Sequence, residues 1–147
     1  MAVKIPAAQI QNLQQIEAVV AGPDDVNRLV IIDGQFDILL RTVSQGNPAS
    51  QKEIFTVLVG PVFTRKQFTQ ANATASFTKT HLSTLSATAI PFSATWQILA
   101  VDADWDDESG QVELRIEAQV DCNGVGQSAS IAGFTFHVTI LAAVPAA

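Results

Sequence analysis

Residues 96–120, WQILAVDADWDDESGQVELRIEAQV, constrain the fold of this chain more than any other stretch. Two alternating runs flank a turn, and alternation at period two sends successive side chains to opposite faces of a sheet. In the second arm Val112, Leu114, Ile116, Ala118 and Val120 share one face, while Glu113, Arg115, Glu117 and Gln119 share the other. In the first arm Leu99, Val101, Ala103 and Trp105 form the apolar set. A four-residue loop, Asp107-Glu108-Ser109-Gly110, predicts a register with Trp105 opposite Val112, Val101 opposite Ile116 and Asp102 opposite Arg115. The same register sets Asp104 opposite Glu113, and like charges directly opposite destabilise a ladder. Local conflicts of this kind concentrate at functional sites, so the tip is the first place to look for one.

The tip also holds most of the charge. Residues 102–121 carry eight carboxylates against one arginine, a net of −7, which leaves +1 for the remainder of a chain whose total is −6. Apart from Arg65-Lys66 no basic cluster is present, which argues against nucleic acid and against an anionic membrane surface as partners. A hydrophobic fraction of 48% in 147 residues is enough for one domain with a sizeable core, and no apolar run has the length to span a bilayer. Cys122 is the single cysteine, so no intrachain disulfide forms. The opening Met1–Pro6 lacks the continuous apolar segment of a signal peptide. The expectation is a cytoplasmic protein, or part of an assembly exported without a Sec-type signal.

Along the chain, residues 8–21 read as a short amphipathic helix. Ile10, Leu13, Ile16 and Val20 fall near one face, and Gly22-Pro23 stops the run. Residues 24–46 read as two strands, because Val30-Ile31-Ile32 is β-branched and Asp33-Gly34 is a hairpin turn signal. Phe36, Leu39, Leu40 and Val43 also fit a helical stripe with Asp33 as its cap. Gly60-Pro61 interrupts a strand over 54–64 and implies an edge position or a bulge. Twelve Ser or Thr residues lie between Thr64 and Thr95, alternating across Thr74, Ser76, Thr78 and Thr80. Asn123-Gly124 predicts a second tight turn, pairing the last two strands with Ile116 opposite Ile131. An unbroken ladder would then turn Phe134 and Phe136 outward, so a bulge is expected at Ala132-Gly133. Strands with turn signals at this spacing predict a mainly β fold, an antiparallel β-sandwich or partly open barrel. An N-terminal helical segment (residues 1–22) would precede the single β domain (23–147).

Most enzymatic templates fail on inventory. There is no nucleophile elbow, phosphate loop, dinucleotide fingerprint or zinc-protease motif. His81 and His137 sit in alternating strands and read as solvent-facing, and Cys122 has no neighbouring base to activate it. Asp102, Asp104, Asp106 and Glu113 occupy positions 1, 3, 5 and 12 of a calcium-loop pattern. Position 6, which that loop needs as glycine, is Asp107, and the flanks are strands, so an EF-hand is excluded. The four carboxylates remain the one candidate cation site, for Ca²⁺; no other cofactor is expected. A carboxylate pair for glycoside hydrolysis, with Trp96 and Trp105 as stacking platforms, is a weaker reading because the chain has no tyrosine. The expectation is a non-enzymatic structural or assembly subunit that self-associates or docks with other protein subunits. The alternative is a calcium-dependent ligand-binding module built on the 102–113 loop.

Overall fold

The computed structural model describes residues 2–21, 26–84 and 93–144. In chain order they form β1 (Ala2–Ile5), a 3-10 turn (Ala7–Gln9), β2 (Gln11–Ala21), β3 (Val26–Gln45) and β4 (Ala49–Val59). Then come β5 (Phe68–Thr84), β6 (Ser93–Trp105), β7 (Val112–Asn123) and β8 (Val125–Ala143). The strands make two four-stranded sheets, ordered β1-β4-β7-β6 and β2-β3-β8-β5, with no closed barrel. They are called here the β7 sheet and the β8 sheet after an interior strand of each. Every pairing is antiparallel except β1 with β4, which runs parallel from Ala2 beside Ile54 to Ile5 beside Val57.

Alternation in β7 translates directly into burial. Val112, Leu114, Ile116, Ala118 and Val120 are fully buried, and the polar residues between them face outward. On the β8 sheet the inward set is Val30, Ile32 and Phe36 from β3 with Phe134, Phe136, Val138 and Ile140 from β8. The two inner faces meet at Phe134. Its ring centroid lies 5.7 Å from Phe36, 5.8 Å from Phe77 and 5.6 Å from Phe55. Phe55 belongs to β4 in the opposite sheet, so this tilted stack bridges the layers. Each such aromatic pair adds about 0.5–1.5 kcal/mol beyond the area it buries. Trp96 on β6 ties the layers again, its indole Nε1 donating to Ser130 O on β8 at 2.9 Å.

Several expectations are corrected. No α-helix forms at residues 8–21 among the described residues: after the 3-10 turn the segment is β2, paired along β3 from Gln11–Gln35 to Ala21–Val26. The N-terminal amphipathic helix of 1–22 is therefore replaced by β1 in one sheet and β2 in the other. A lone helix of that length is marginal, whereas the Val/Ile-rich first half of β3 presents a row of backbone groups that β2 can satisfy. The predicted stop at Gly22-Pro23 lies outside the described residues. Asp33-Gly34 is not a turn but the interior of a 20-residue strand. Gly34 is required there for space: a Cβ would lie 2.8 Å from Phe136 Cζ and 2.9 Å from Ile10 Cγ2. Gly60-Pro61 ends β4, an interior strand, instead of marking an edge.

Asn123-Gly124 does not make a hairpin within one sheet. β7 and β8 belong to different sheets, and the chain crosses between them there. Gly124 (φ 150°) and Gly126 (φ 66°) absorb the change of direction. Ser44 fastens the crossing, donating from Oγ to Asn47 O at 2.6 Å and accepting from Gly124 N at 3.1 Å. The irregularity expected at Ala132-Gly133 is present, although the partners are β3 and β5 instead of β7. The register slips between Asp37 and Leu40 on β3 and between Phe77 and Thr80 on β5. That slip lets Ile131 and Phe134, three residues apart, both point inward.

Candidate functional site

The acidic tip follows the register read from its alternation, with Asp102 opposite Arg115, Asp104 opposite Glu113 and Trp105 opposite Val112. One residue departs from it. The ladder slips between Ile98 and Ala100, so Leu99 bulges outward and is exposed instead of joining the inward set. The loop closes with Asp106 N donating to Gln111 O and Gly110 N donating to Asp106 O, each at 2.8 Å. Gly110 has φ +75°, the left-handed turn position that suits glycine.

Two of the four candidate ligands already have work within the turn. Asp106 Oδ2 accepts from Ser109 Oγ at 2.6 Å and from Ser109 N at 3.0 Å. The hydroxyl bond first, then the backbone bond, hold its carboxyl below the ordinary 3.8. Asp104 Oδ1 accepts from Trp105 N at 2.7 Å. Asp102, Asp104, Asp106 and Glu113 do line one depression of about 240 Å³, together with Trp105 and Arg115. Among the described residues, however, no group of three or more His, Cys, Asp or Glu is arranged to hold a metal ion. Arg115 is the one basic residue among the described residues that line the same depression.

The tip is anchored to the segment after β4. Trp105 Nε1 donates to both Phe63 O at 3.0 Å and Gly110 O at 3.1 Å. Phe63 N donates to Gly110 O at 2.7 Å, and Gln111 Nε2 donates to Gly60 O at 2.7 Å. Trp105 is thus a clamp, which removes it as a sugar-stacking platform. Beside it a second depression of about 370 Å³ opens where Lys4, Ile5 and Pro6 meet Leu58, Ser109 and Gln111. Sequence reasoning missed this one because it depends on β1 lying beside β4, a pairing with no local signal.

The outer faces of the two sheets differ in chemistry. On the outer face of the β7 sheet Asp102, Asp104, Glu113, Glu117 and Asp121 outnumber the basic Lys4, Lys52 and Arg115. On the β8 sheet the outward rows read Ala18–Leu29–Leu141–Gln70, Ile16–Ile31–Thr139–Asn72 and Gln14–Asp33–His137–Thr74. His137 is solvent-facing as predicted, but it has a partner. Its Nδ1 lies 2.6 Å from Asp33 Oδ1, and its Nε2 lies 3.2 Å from Thr139 Oγ1. The connectivity is that of an acid–imidazole–hydroxyl relay. With both side chains about half exposed on a flat sheet, water screens the pair, and nothing encloses a substrate. Reading Asp33 as a turn residue hid this row from the sequence.

The remaining surface feature is β2. Every residue of this strand is exposed. Its apolar side chains point both ways: Ile16 is 63% exposed on the outer face, and Val19, on the inner face, is 70% exposed. Leu13, Val20 and, on β3 opposite Ala21, Val26 are exposed as well. A strand interior to a complete fold would show one wet face and one dry face. No protein-family model, no curated protein and no solved structure matches this chain.

Proposed function

We propose that this chain is a non-catalytic assembly subunit that self-associates or docks into a larger complex through β2 and the adjoining outer rows of the β8 sheet. The observation that carries the reading is an edge strand with apolar side chains exposed on both of its faces. Exposed edges and apolar patches of that kind are aggregation liabilities unless a partner covers them. The neutral β8 face fits a buried interface, while the acidic β7 face and its tip fit a solvated exterior that keeps the subunit soluble. The acidic cleft adds no specific support to calcium-dependent binding, because Asp104 and Asp106 are engaged within the turn.

Sedimentation velocity across a wide range of protein concentration tests the reading. Species heavier than the 15.6 kDa chain are expected, growing with concentration. The variant Ile16→Lys/Val19→Lys, altered only at exposed positions, should shift them toward monomer while keeping the circular dichroism of the wild type. A wild-type protein that stays at 15.6 kDa at every concentration would refute the assignment.

A further inference from the structure

The sheet edges are not equivalent. β1 is only four residues long, β5 carries Lys79, and β6 carries Asp102 and Asp104. Short length and charge are the devices that keep an edge from pairing with a second chain. β2 has neither. It is 11 residues long and contains no proline, lysine or arginine. Its one charge, Glu17, is held in a fork by Arg28, at 2.6 Å from Nη2 and 3.0 Å from Nε. That hydrogen-bonded pair lowers the Glu17 pKa, so the carboxylate stays ionised and is offset by the Arg28 guanidinium on the neighbouring strand.

We propose that β2 pairs edge to edge, antiparallel, with β2 of a second copy in a register centred on Ile16, so that two β8 sheets join into one sheet of eight strands. This inference rests on the assembly reading and deepens it by naming the partner and the contact. A two-fold axis normal to the sheet keeps every side chain on its own face, so only registers centred on a residue are allowed. Ile16 is the midpoint of Gln11–Ala21. Centring there sets Ile16 opposite Ile16, Gln14 opposite Ala18, and the Gln15 amide opposite the Glu17 carboxylate of the other copy. Within one chain the same two groups already bond, Gln15 Nε2 donating to Glu17 Oε1 at 3.3 Å. Centring on Glu17 would oppose two carboxylates, and centring on Ala18 would set that carboxylate against Val19; both are worse cross-strand pairs.

The contact is modest in extent. The ladder with β3 is irregular between Gln11 and Gln14, and Asn12 sits at φ 53°. Regular pairing therefore centres on Gln14–Ala18, roughly 17 Å of strand, and a strip of that size falls below the ~1,000 Å² of a permanent interface. The dimer is accordingly reversible and favoured by concentration.

Cysteine scanning separates this register from any other mode of association. Residues directly opposite in an antiparallel ladder bring their Cα atoms to about 4.5–5.5 Å, within disulfide range. Two copies of Val19 would lie roughly 20 Å apart in this register, at about 3.4 Å per residue. In a Cys122→Ala background, Ile16→Cys and Val19→Cys offer thiols of similar exposure, so random collision would link both equally. Mild oxidation should cross-link Ile16→Cys at least ten-fold faster than Val19→Cys. Equal rates, or faster linking at Val19, would overturn the pairing. If the wild type is heavier than a monomer and the cysteine pattern fails, assembly stands and this contact is wrong. If the wild type is monomeric at every concentration and neither cysteine links, both readings fall.

Discussion

Gly34→Ala tests the tightest point of the β8 sheet. The added methyl would sit 2.8 Å from Phe136 Cζ, 3.1 Å from Phe136 Cε1 and 2.9 Å from Ile10 Cγ2. Carbon atoms prefer separations near 3.5–4.0 Å, so the overlap is about 1 Å on two sides. Phe136 has little room to yield, since it is buried and packs at 6.0 Å from Phe36, which itself packs on Phe134. Overpacking of this kind costs about 1–3 kcal/mol, while replacing glycine in a strand interior returns roughly 0.5–1 kcal/mol. A net loss on the order of 1–2 kcal/mol is expected, lowering the urea midpoint by roughly 0.5–1 M for a typical slope. Phe136→Leu removes the ring atoms that clash. In the double variant Gly34→Ala/Phe136→Leu the methyl should therefore cost less, with only the overlap on Ile10 Cγ2 remaining, giving a favourable coupling of about 0.5–2 kcal/mol in a double-mutant cycle. A turn at Asp33-Gly34 would also penalise alanine, but without any coupling to residue 136. Additive losses across the cycle would refute the packing argument.

Three further outcomes are expected. Ser44→Ala should destabilise by about 1–3 kcal/mol in chemical denaturation, because it strips the partner from Gly124 N in a buried crossing. Ser109→Ala should lower the melting temperature at pH 7, and the difference from wild type should shrink progressively as pH is taken below 3.8. The folded Asp106 carboxyl titrates below its ordinary 3.8, so its bonus is complete above that value and vanishes as pH falls through the folded pKa. Cys122 is buried, and burial pushes its thiol pKa up, so a thiol reagent at pH 8 should react only after denaturant is added. Rapid labelling of the native protein would contradict its placement in the core.

What the sequence made legible was local. The β6–β7 register, the inward face of β7 and the irregularity at Ala132-Gly133 all follow from parity within a stretch of a few residues. What it concealed depends on partners far away in the chain. Leu13, Ile16 and Val20 satisfy a helical stripe, and only the open flank of β3 decides that they lie in a strand. Asp33-Gly34 carries the same turn signal as a hairpin tip, yet Gly34 is there to admit a ring from residue 136. Asn123-Gly124 does reverse the chain, but whether a reversal stays in one sheet or steps to another is set by what else can pair with β8. Asp102, Asp104, Asp106 and Glu113 line one depression, but among the described residues no three of them are arranged to hold a metal ion. The clamp by Trp105, the Asp33–His137 row and the bare edge of β2 carry no local pattern at all.

The topology of the β8 sheet also sets the order in which the molecule can be made. β8 is an interior strand of its sheet, hydrogen-bonded to β3 on one side and β5 on the other, and it is the last strand in the chain among the described residues. During synthesis β3 emerges long before the segment that will lie beside it, with Asn27 waiting for Ala143. Until then β2, β3 and β5 can form no complete sheet, and Val30, Ile32 and Phe36 have no aromatic layer to pack on. Such distant pairings fold slowly and leave apolar strands uncovered in the interval. The nascent chain should therefore depend on holding factors until β8 has emerged, and a chain truncated before Val125 should carry a β7 sheet beside an unfinished, aggregation-prone partner.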